Sequence, residues 1–435
     1  MKTKSICEYG LIYPEKHAAG KVESTACVIL PDKSFELLCD FVATQEADYV
    51  LKYGKKQGQS FLKAQNYVGV IETADGTTLE ILPKVHRYSD EVKDARHVLL
   101  KMLRYLRDSP YKEIEEAHLK TTQFPILEVF ISAFVRSMQR LIRRGIKNNY
   151  VSVQDNQFFL KGKLLFNQHL RKNITAQHRF FVEFDEYLPD IPQNRLLKSC
   201  CQFLLNRTRH IENQNQLRHF LMMLDLVPSS VNLDKDFRLT ATLDRTFIAY
   251  EQPLRWAKVF LQNQSFTNFK GKSLNQALLF PMERIFEDYV SAKIKSKLEK
   301  EGYTVFLQHK QYYLVDEHRG CKKFRLKPDI VAIKEGSCMI FDAKWKLLNA
   351  HAPQHNYDIS QADMYQLFGY GSKYKSEKSA TPKLFLIYPE HECFQDKLAP
   401  FDFVKDEMRL EVLAWLFDEE IINIPELKKY CNETH

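Results

Sequence analysis

Between about Ser24 and Val85 the apolar residues come in short runs, each cut by a turn former. Ala26-Cys27-Val28-Ile29-Leu30 stops at Pro31-Asp32, and Tyr49-Val50-Leu51-Lys52-Tyr53 stops at Gly54. Tyr67-Val68-Gly69-Val70-Ile71 leads through Asp75-Gly76, a hairpin turn pair, into Thr77-Thr78-Leu79-Glu80-Ile81-Leu82. Residues 1–88 are therefore expected to form a β-rich N-terminal domain. From about residue 89 the period lengthens. His97 to Leu106 and Ile126 to Phe134 carry apolar residues at helical spacing. The second run ends in Arg136, Arg140, Arg143, Arg144 and Gly145, which reads as a helix stop rather than a nucleic-acid patch. Tyr150–Val153 with Phe158–Leu164 suggests a hairpin, Leu188–Pro192 an extended segment, and Gln193–Phe203 a helix. Residues 89–265 are thus expected to be a mostly helical middle region.

The pattern changes again over residues 266–435. A helix is expected from Pro281 to about Lys300, with its stripe at Ile285, Tyr289 and Ile294. Strands follow at 304–307 and 311–315, then two more, then a helix from Ser360 to Tyr374 and a strand at Lys383–Tyr388 stopped by Pro389. Residues from about Glu407 to Tyr430 read as helical and peripheral. Helix, strands, helix, strand around one mixed sheet is an α/β sandwich.

The third and fourth of those strands carry candidate chemistry. Lys327-Pro328-Asp329-Ile330-Val331 and Met339-Ile340-Phe341-Asp342-Ala343-Lys344-Trp345-Lys346 each place an acid at the edge of an apolar run. Strand residues i and i+2 share a face, roughly 7 Å apart. Asp342 and Lys344 would then project together, facing Asp329 across the hairpin. Two carboxylates meeting there would hold a divalent cation through oxygen, and the lysine would orient or deprotonate a water or steady a phosphate. The bland reading is that Asp and Lys merely bound a hairpin and blunt its edge. Two details favour chemistry. Pro328 sits where a strand tolerates proline, and Asp342 closes a buried run where a charge needs a partner.

Composition narrows the setting. The 435 residues imply more than one domain, and 63 Lys+Arg against 55 Asp+Glu give a formal charge of +8. That is compatible with nucleic acid without demanding it. Nine cysteines without metal-ligand spacing argue against zinc and a disulfide framework, and fit a reducing compartment. No apolar run is long enough for a bilayer and Met1 opens a polar segment, so a cytoplasmic protein with no membrane association is expected. No P-loop occurs, so no bound nucleotide is expected on this chain.

Several blocks, in order, resemble one family. They are Asn66–Ile71 with Leu79–Lys84, Leu160–Leu164, Asp190–Leu197, Leu279–Glu287, and the pair Lys327-Pro328-Asp329 and Asp342–Lys346. Together the chain resembles the McrC family, the endonuclease subunits of McrBC 5-methylcytosine restriction systems, within the PD-(D/E)xK nuclease superfamily. Lys161 and Lys163 stand where arginines are expected. The resemblance implies a C-terminal restriction-endonuclease-like α/β sandwich that cuts double-stranded modified DNA with Mg²⁺, Mn²⁺ substituting. It implies an McrB-like AAA+ GTPase hexamer as partner, which the N-terminal half would enter and stimulate.

By position, Asp329 and Asp342 would be metal ligands, the Ala343 carbonyl a further one, and Lys344 the catalytic lysine. Glu287 would complete the site through the metal or its waters; a solvated helix carboxylate is the other reading. Gln366 and Tyr370, four apart on one helix face, would touch DNA phosphate or steady the lysine, or simply pack. Lys346 would contact phosphate. The rivals are a non-catalytic adaptor of an AAA+ ring and a free-standing nuclease without a motor.

Overall fold

The computed structural model describes residues 3–84, 91–107, 110–113, 124–240, 245–262, 274–378, 381–403 and 407–417. The chain divides into two compact units, Met1–Ile126 with Phe269–His435, and Leu127–Asn268. The first unit is discontinuous in sequence. Its early strands are β1 (Thr3–Cys7), β2 (Leu11–Pro14), β3 (Cys27–Leu30), β4 (Leu51–Lys56), β5 (Gln59–Ala64), β6 (Tyr67–Thr73) and β7 (Thr78–Leu82). One sheet runs β3-β2-β5-β4.

This part is not β-only. Pro31-Asp32, read above as a strand stop, also begins the helix Asp32–Gln45. Asp32 in the first turn complements the helix dipole, and Phe35, Leu38, Phe41 and Val42 recur at helical spacing to form its buried face. Glu46, with φ 50°, ends it in the left-handed region.

The second unit holds β8 (Asn149–Gln157), β9 (Lys163–Leu164) and β10 (Phe180–Leu188), in the order β8-β10-β9. The expected 150–164 hairpin is therefore replaced. β8 pairs antiparallel with β10 from Asn149↔Leu188 to Gln157↔Phe180, and β9 joins the far side of β10. Gly162 permits that approach: its φ is +72° and an added Cβ would lie 2.4 Å from the Glu183 carbonyl oxygen. The unit also holds most of helix Ile126–Arg144 and the helices Phe166–Lys172, Pro192–Leu205, Ile211–Met223, Leu233–Leu239 and Glu251–Leu261. The buried Asn194 amide donates to the Lys147 and Pro189 carbonyls at 3.0 and 2.8 Å, and its oxygen accepts from the Tyr250 hydroxyl at 2.9 Å.

The chain then returns to the first unit. β11 (Leu274–Pro281) pairs antiparallel with β6, giving a sheet of order β1-β7-β6-β11. Gly69 makes the pairing possible: φ is +132°, and a Cβ would sit 1.9 Å from the Leu278 carbonyl oxygen. Next come β12 (Thr304–Leu307), β13 (Tyr313–His318), β14 (Cys321–Arg325), β15 (Ile330–Lys334), β16 (Ser337–Ala343), β17 (Lys383–Pro389), β18 (Phe401–Phe403) and β19 (Met408–Trp415). Six of them form a mixed sheet, β12-β15-β16-β17-β19-β18, with β16, β17 and β19 parallel. Helix Met282–Lys300 packs on β12, β15 and β16, and helix Gln361–Lys378 on β16 and β17. Val331, Ile340, Leu384, Leu386, Leu410 and Val412 make one core with Leu367, Tyr370 and Tyr374.

Two expectations are corrected here. Residues 408–415 are a strand inside the sheet, not a peripheral helix; Met408, Leu410 and Val412 alternate with period 2 onto the core. Residues 418–430 of that expected helix lie outside the described residues. The serial fold class also fails: an α/β N-terminal part shares a sheet with residues 274–281, and the middle carries a three-stranded sheet, so the chain is mixed α/β.

Gly69→Ala is expected to destabilise the protein by more than about 1 kcal/mol, because neither the backbone angle nor the Leu278 carbonyl can accommodate a methyl. An unchanged urea midpoint would contradict this.

Candidate active site

β15 and β16 form a hairpin in which Ile330 pairs with Phe341, so Asp329 stands opposite Asp342. Asp342 shares the Ile340 side of β16, which faces helix Gln361–Lys378. Only 1% of Asp342 is exposed. One Asp329 oxygen accepts from the Ala343 N–H at 2.8 Å. Lys344 follows at the strand end, where its N–H bonds to the Ile387 carbonyl at 2.9 Å. Its ammonium lies 2.6 Å from Asp342 Oδ2 and donates to Gln366 Oε1 at 3.1 Å. Gln366 Nε2 in turn donates to the Tyr370 hydroxyl at 2.7 Å. The i, i+4 pair on the helix thus aims the lysine.

Glu287 reaches the same neighbourhood from helix Met282–Lys300. Gln308 joins them: its amide donates to Glu287 Oε1 at 2.6 Å and its N–H to the Asp329 carbonyl at 2.8 Å. Lys346 is not brought in. β16 ends at Ala343, and the Lys346 N–H turns back to the Lys344 carbonyl at 3.1 Å, so alternation is lost and Lys346 is exposed.

Gln308, Asp363 and Tyr388 were missed. Asp363 accepts from the Tyr388 hydroxyl at 3.3 Å, and its charge acts on Asp342 and Lys344. The helical spacing 363, 366, 370 was a usable signal; nothing local marks Gln308. His309 bonds Tyr374 in an aromatic group with Phe306 and Tyr312.

Burial, then the Asp342 and Glu287 charges, hold the Asp329 carboxyl well above the usual range. Burial also raises Asp342, against the pull of Lys344. Burial works against the Lys344 ammonium, but Asp342 and Asp329 outweigh it and keep its pKa above the ordinary lysine value. The lysine is therefore a fixed positive charge near neutrality, not a proton acceptor.

The next residue ties this strand end to the N-terminus. Trp345 Nε1 donates to Glu8 at 3.0 Å, and the Lys84 N–H donates to the same oxygen at 3.2 Å. Glu8 is 2% exposed, and burial pushes its pKa up to about 8. The indole also packs on Phe286, ring centroids 5.2 Å apart.

Among the described residues no group of three or more His, Cys, Asp or Glu side chains is arranged to hold a metal. The donor chemistry still fits a hard cation. Mg²⁺ is held by one or two carboxylates of this kind, water and phosphate filling the remaining positions.

The family model described as McrBC 5-methylcytosine restriction system component matches residues 62–389. This chain belongs to the McrBC family. No match was found among curated protein sequences. A chain in a half-complex from the tetradecameric assembly of Thermococcus gammatolerans McrB AAA+ hexamers with bound McrC shares the fold. The TM-score is 0.69 at 18% identity, over 98% of each chain. A chain of the T. gammatolerans McrBC complex gives 0.49 at 21% identity, over 68% of this chain and 88% of that one.

These findings correct the more specific resemblance. The family match names McrBC without a subunit, and the full-length likeness is to an assembly described first by its McrB AAA+ hexamers. Assignment to McrC, with the function of a nuclease subunit that stimulates a GTPase, is withdrawn in favour of McrBC membership. The PD-(D/E)xK fold class gives way to the mixed α/β fold shared along that whole neighbour. No helix among the described residues is long and apolar enough to cross a membrane.

Asp329→Asn is expected to raise the melting temperature in metal-free buffer, by a margin that grows with pH. The folded pKa of Asp329 is raised, so its contribution is present in acid and lost as the carboxyl ionises. A melting temperature lowered or unmoved at every pH would contradict this. Glu8 follows the same sign. Its contribution is lost as pH rises from the ordinary carboxyl range toward about 8, and Glu8→Gln should flatten that decline in urea titrations.

Proposed function

We propose that this McrBC-family protein hydrolyses phosphodiester bonds at the Asp329–Asp342–Lys344 centre, with Mg²⁺ or Mn²⁺ held by the two carboxylates. The observation that carries the reading is the opposed pair of carboxylates, Asp342 buried and Asp329 half-buried, with a charged lysine 2.6 Å from Asp342. A structural hairpin has no use for two acids whose ionisation burial opposes. A bound divalent cation would polarise the phosphoryl oxygen and lower the pKa of the attacking water.

The remaining chemistry belongs to side chains. Asp329 and Asp342 would supply oxygen ligands, and the Ala343 carbonyl would be a third. The Ala343 N–H fixes one Asp329 oxygen, which limits how that carboxylate turns toward the cation. Lys344, with 27% of its side chain exposed, is open to substrate on one side and neutralises charge developing on the phosphate. Gln366, held by Tyr370, sets the direction of the ammonium. Glu287, positioned through Gln308, would hold a water of the cation. The net change adds water across a P–O bond, leaving a phosphate monoester and a free hydroxyl.

The neighbour is an assembly of AAA+ hexamers with a bound second component, and this chain is proposed to work within an assembly of that kind, on double-stranded DNA. No nucleotide site is proposed on it, because it has no Gly-x₄-Gly-Lys-Ser/Thr run.

Asp342→Asn and Lys344→Ala are each expected to lower Mg²⁺-dependent cleavage by at least about 100-fold, with the fold retained by circular dichroism. The assay uses labelled duplex DNA and the full chain, with and without an McrB-type AAA+ protein from the same source. Full cleavage by either variant would remove this centre from the reaction.

A further inference from the structure

The hairpin β13–β14 is absorbed by neither the core nor the carboxylate centre. Every residue of β14 is exposed, with Phe324 73% and Leu314 54% accessible. Residues 310–327 hold Lys310, Arg319, Lys322, Lys323, Arg325 and Lys327 against Asp316 and Glu317. That is a net +4, half the formal +8 of the whole chain, in 18 residues. One of the two acids is already committed, since Asp316 pairs with Lys373 at 2.6 Å.

The register pairs Tyr313 with Arg325 and Val315 with Lys323, so two cations share the Tyr313 face. The Arg325 guanidinium lies over the Tyr313 ring, 5.1 Å from its centre. The root of the hairpin is firm. Leu326 N–H bonds to the Tyr312 carbonyl at 2.9 Å, and the Tyr312 ring meets the buried Tyr374 edge-on at 4.8 Å. Tyr374 and Lys373 belong to the helix that carries Gln366 and Tyr370. Asp329 lies four positions after Arg325, a reach of at most roughly 14 Å. That corresponds to about four nucleotides of rise along a duplex.

Resting on the proposed hydrolysis, we infer that the β13–β14 hairpin is a backbone clamp for duplex nucleic acid, its cations seating phosphates a few nucleotides from the bond to be cut. Phosphate contacts of this kind position a duplex without reading its sequence. A firmly rooted arm then fixes where the scissile phosphate falls relative to Asp329.

The test measures binding of the full-length protein to a fluorescein-labelled DNA duplex in metal-free buffer over a range of salt. Lys322→Gln/Lys323→Gln/Arg325→Gln should weaken binding at least tenfold at low salt and reduce the log–log salt slope by about 2 to 3. Lys322→Gln/Lys323→Gln, which leaves the Tyr313 stack intact, should reduce the slope by about 2. An equal loss of charge at Lys52, Lys55 and Lys56, exposed on β4, should leave the slope near wild type. Hairpin variants that bind like wild type, or a β4 variant that weakens binding equally, would overturn the clamp. Because binding is read without metal, a failure of cleavage would count against the catalytic reading alone.

Discussion

Everything distinctive in the larger unit follows from two carboxylates, half-buried Asp329 and buried Asp342, set opposite each other at the end of the β15–β16 hairpin. Neither ionises easily there, and ionising both sets like charges side by side. Lys344 relieves part of that cost, and Gln366, Tyr370 and Gln308 are spent holding the participants in place. A fold that pays this penalty retains a strong demand for a further positive charge.

The surroundings explain why that demand persists. β16 is internal, flanked by β15 and β17, so the carboxylates cannot swing out to solvent without breaking the sheet. Next to Lys344, Trp345 is anchored by Glu8 beside β1, and β11 closes the N-terminal sheet just before the helix that carries Glu287. The candidate centre and the N-terminal strands belong to one unit although more than 300 residues separate Glu8 from Trp345.

Local chemistry was legible in the sequence, and long-range closure was not. The spacing of Asp342 and Lys344, the strand-opening Pro328, and the Gln366/Tyr370 pair all placed side chains where the structure has them. Helices 126–144, 192–205 and 282–300 also announced themselves through period and punctuation. What failed depended on partners distant in sequence. β8 takes β10 rather than its neighbour, and β11 joins β6 because Gly69 lets a backbone approach that no pattern displays. Pro31-Asp32 opens a helix as readily as it closes a strand, and only the buried Phe35–Leu38–Phe41 face decides between them. Lys346 stands apart from the Asp342 face because the strand ends at Ala343. The choice of subunit within the McrBC family was likewise beyond what separate short blocks carry.

Calorimetric titration of Mn²⁺ into the full-length protein, repeated in buffers of different ionisation enthalpy, tests the central claim most directly. Carboxylates whose ionisation is opposed by burial bind a cation in competition with protons. The account predicts saturable binding with proton release that increases toward acid pH, and loss of both in Asp342→Asn. Binding without proton release, or binding that survives Asp342→Asn unchanged, would contradict it.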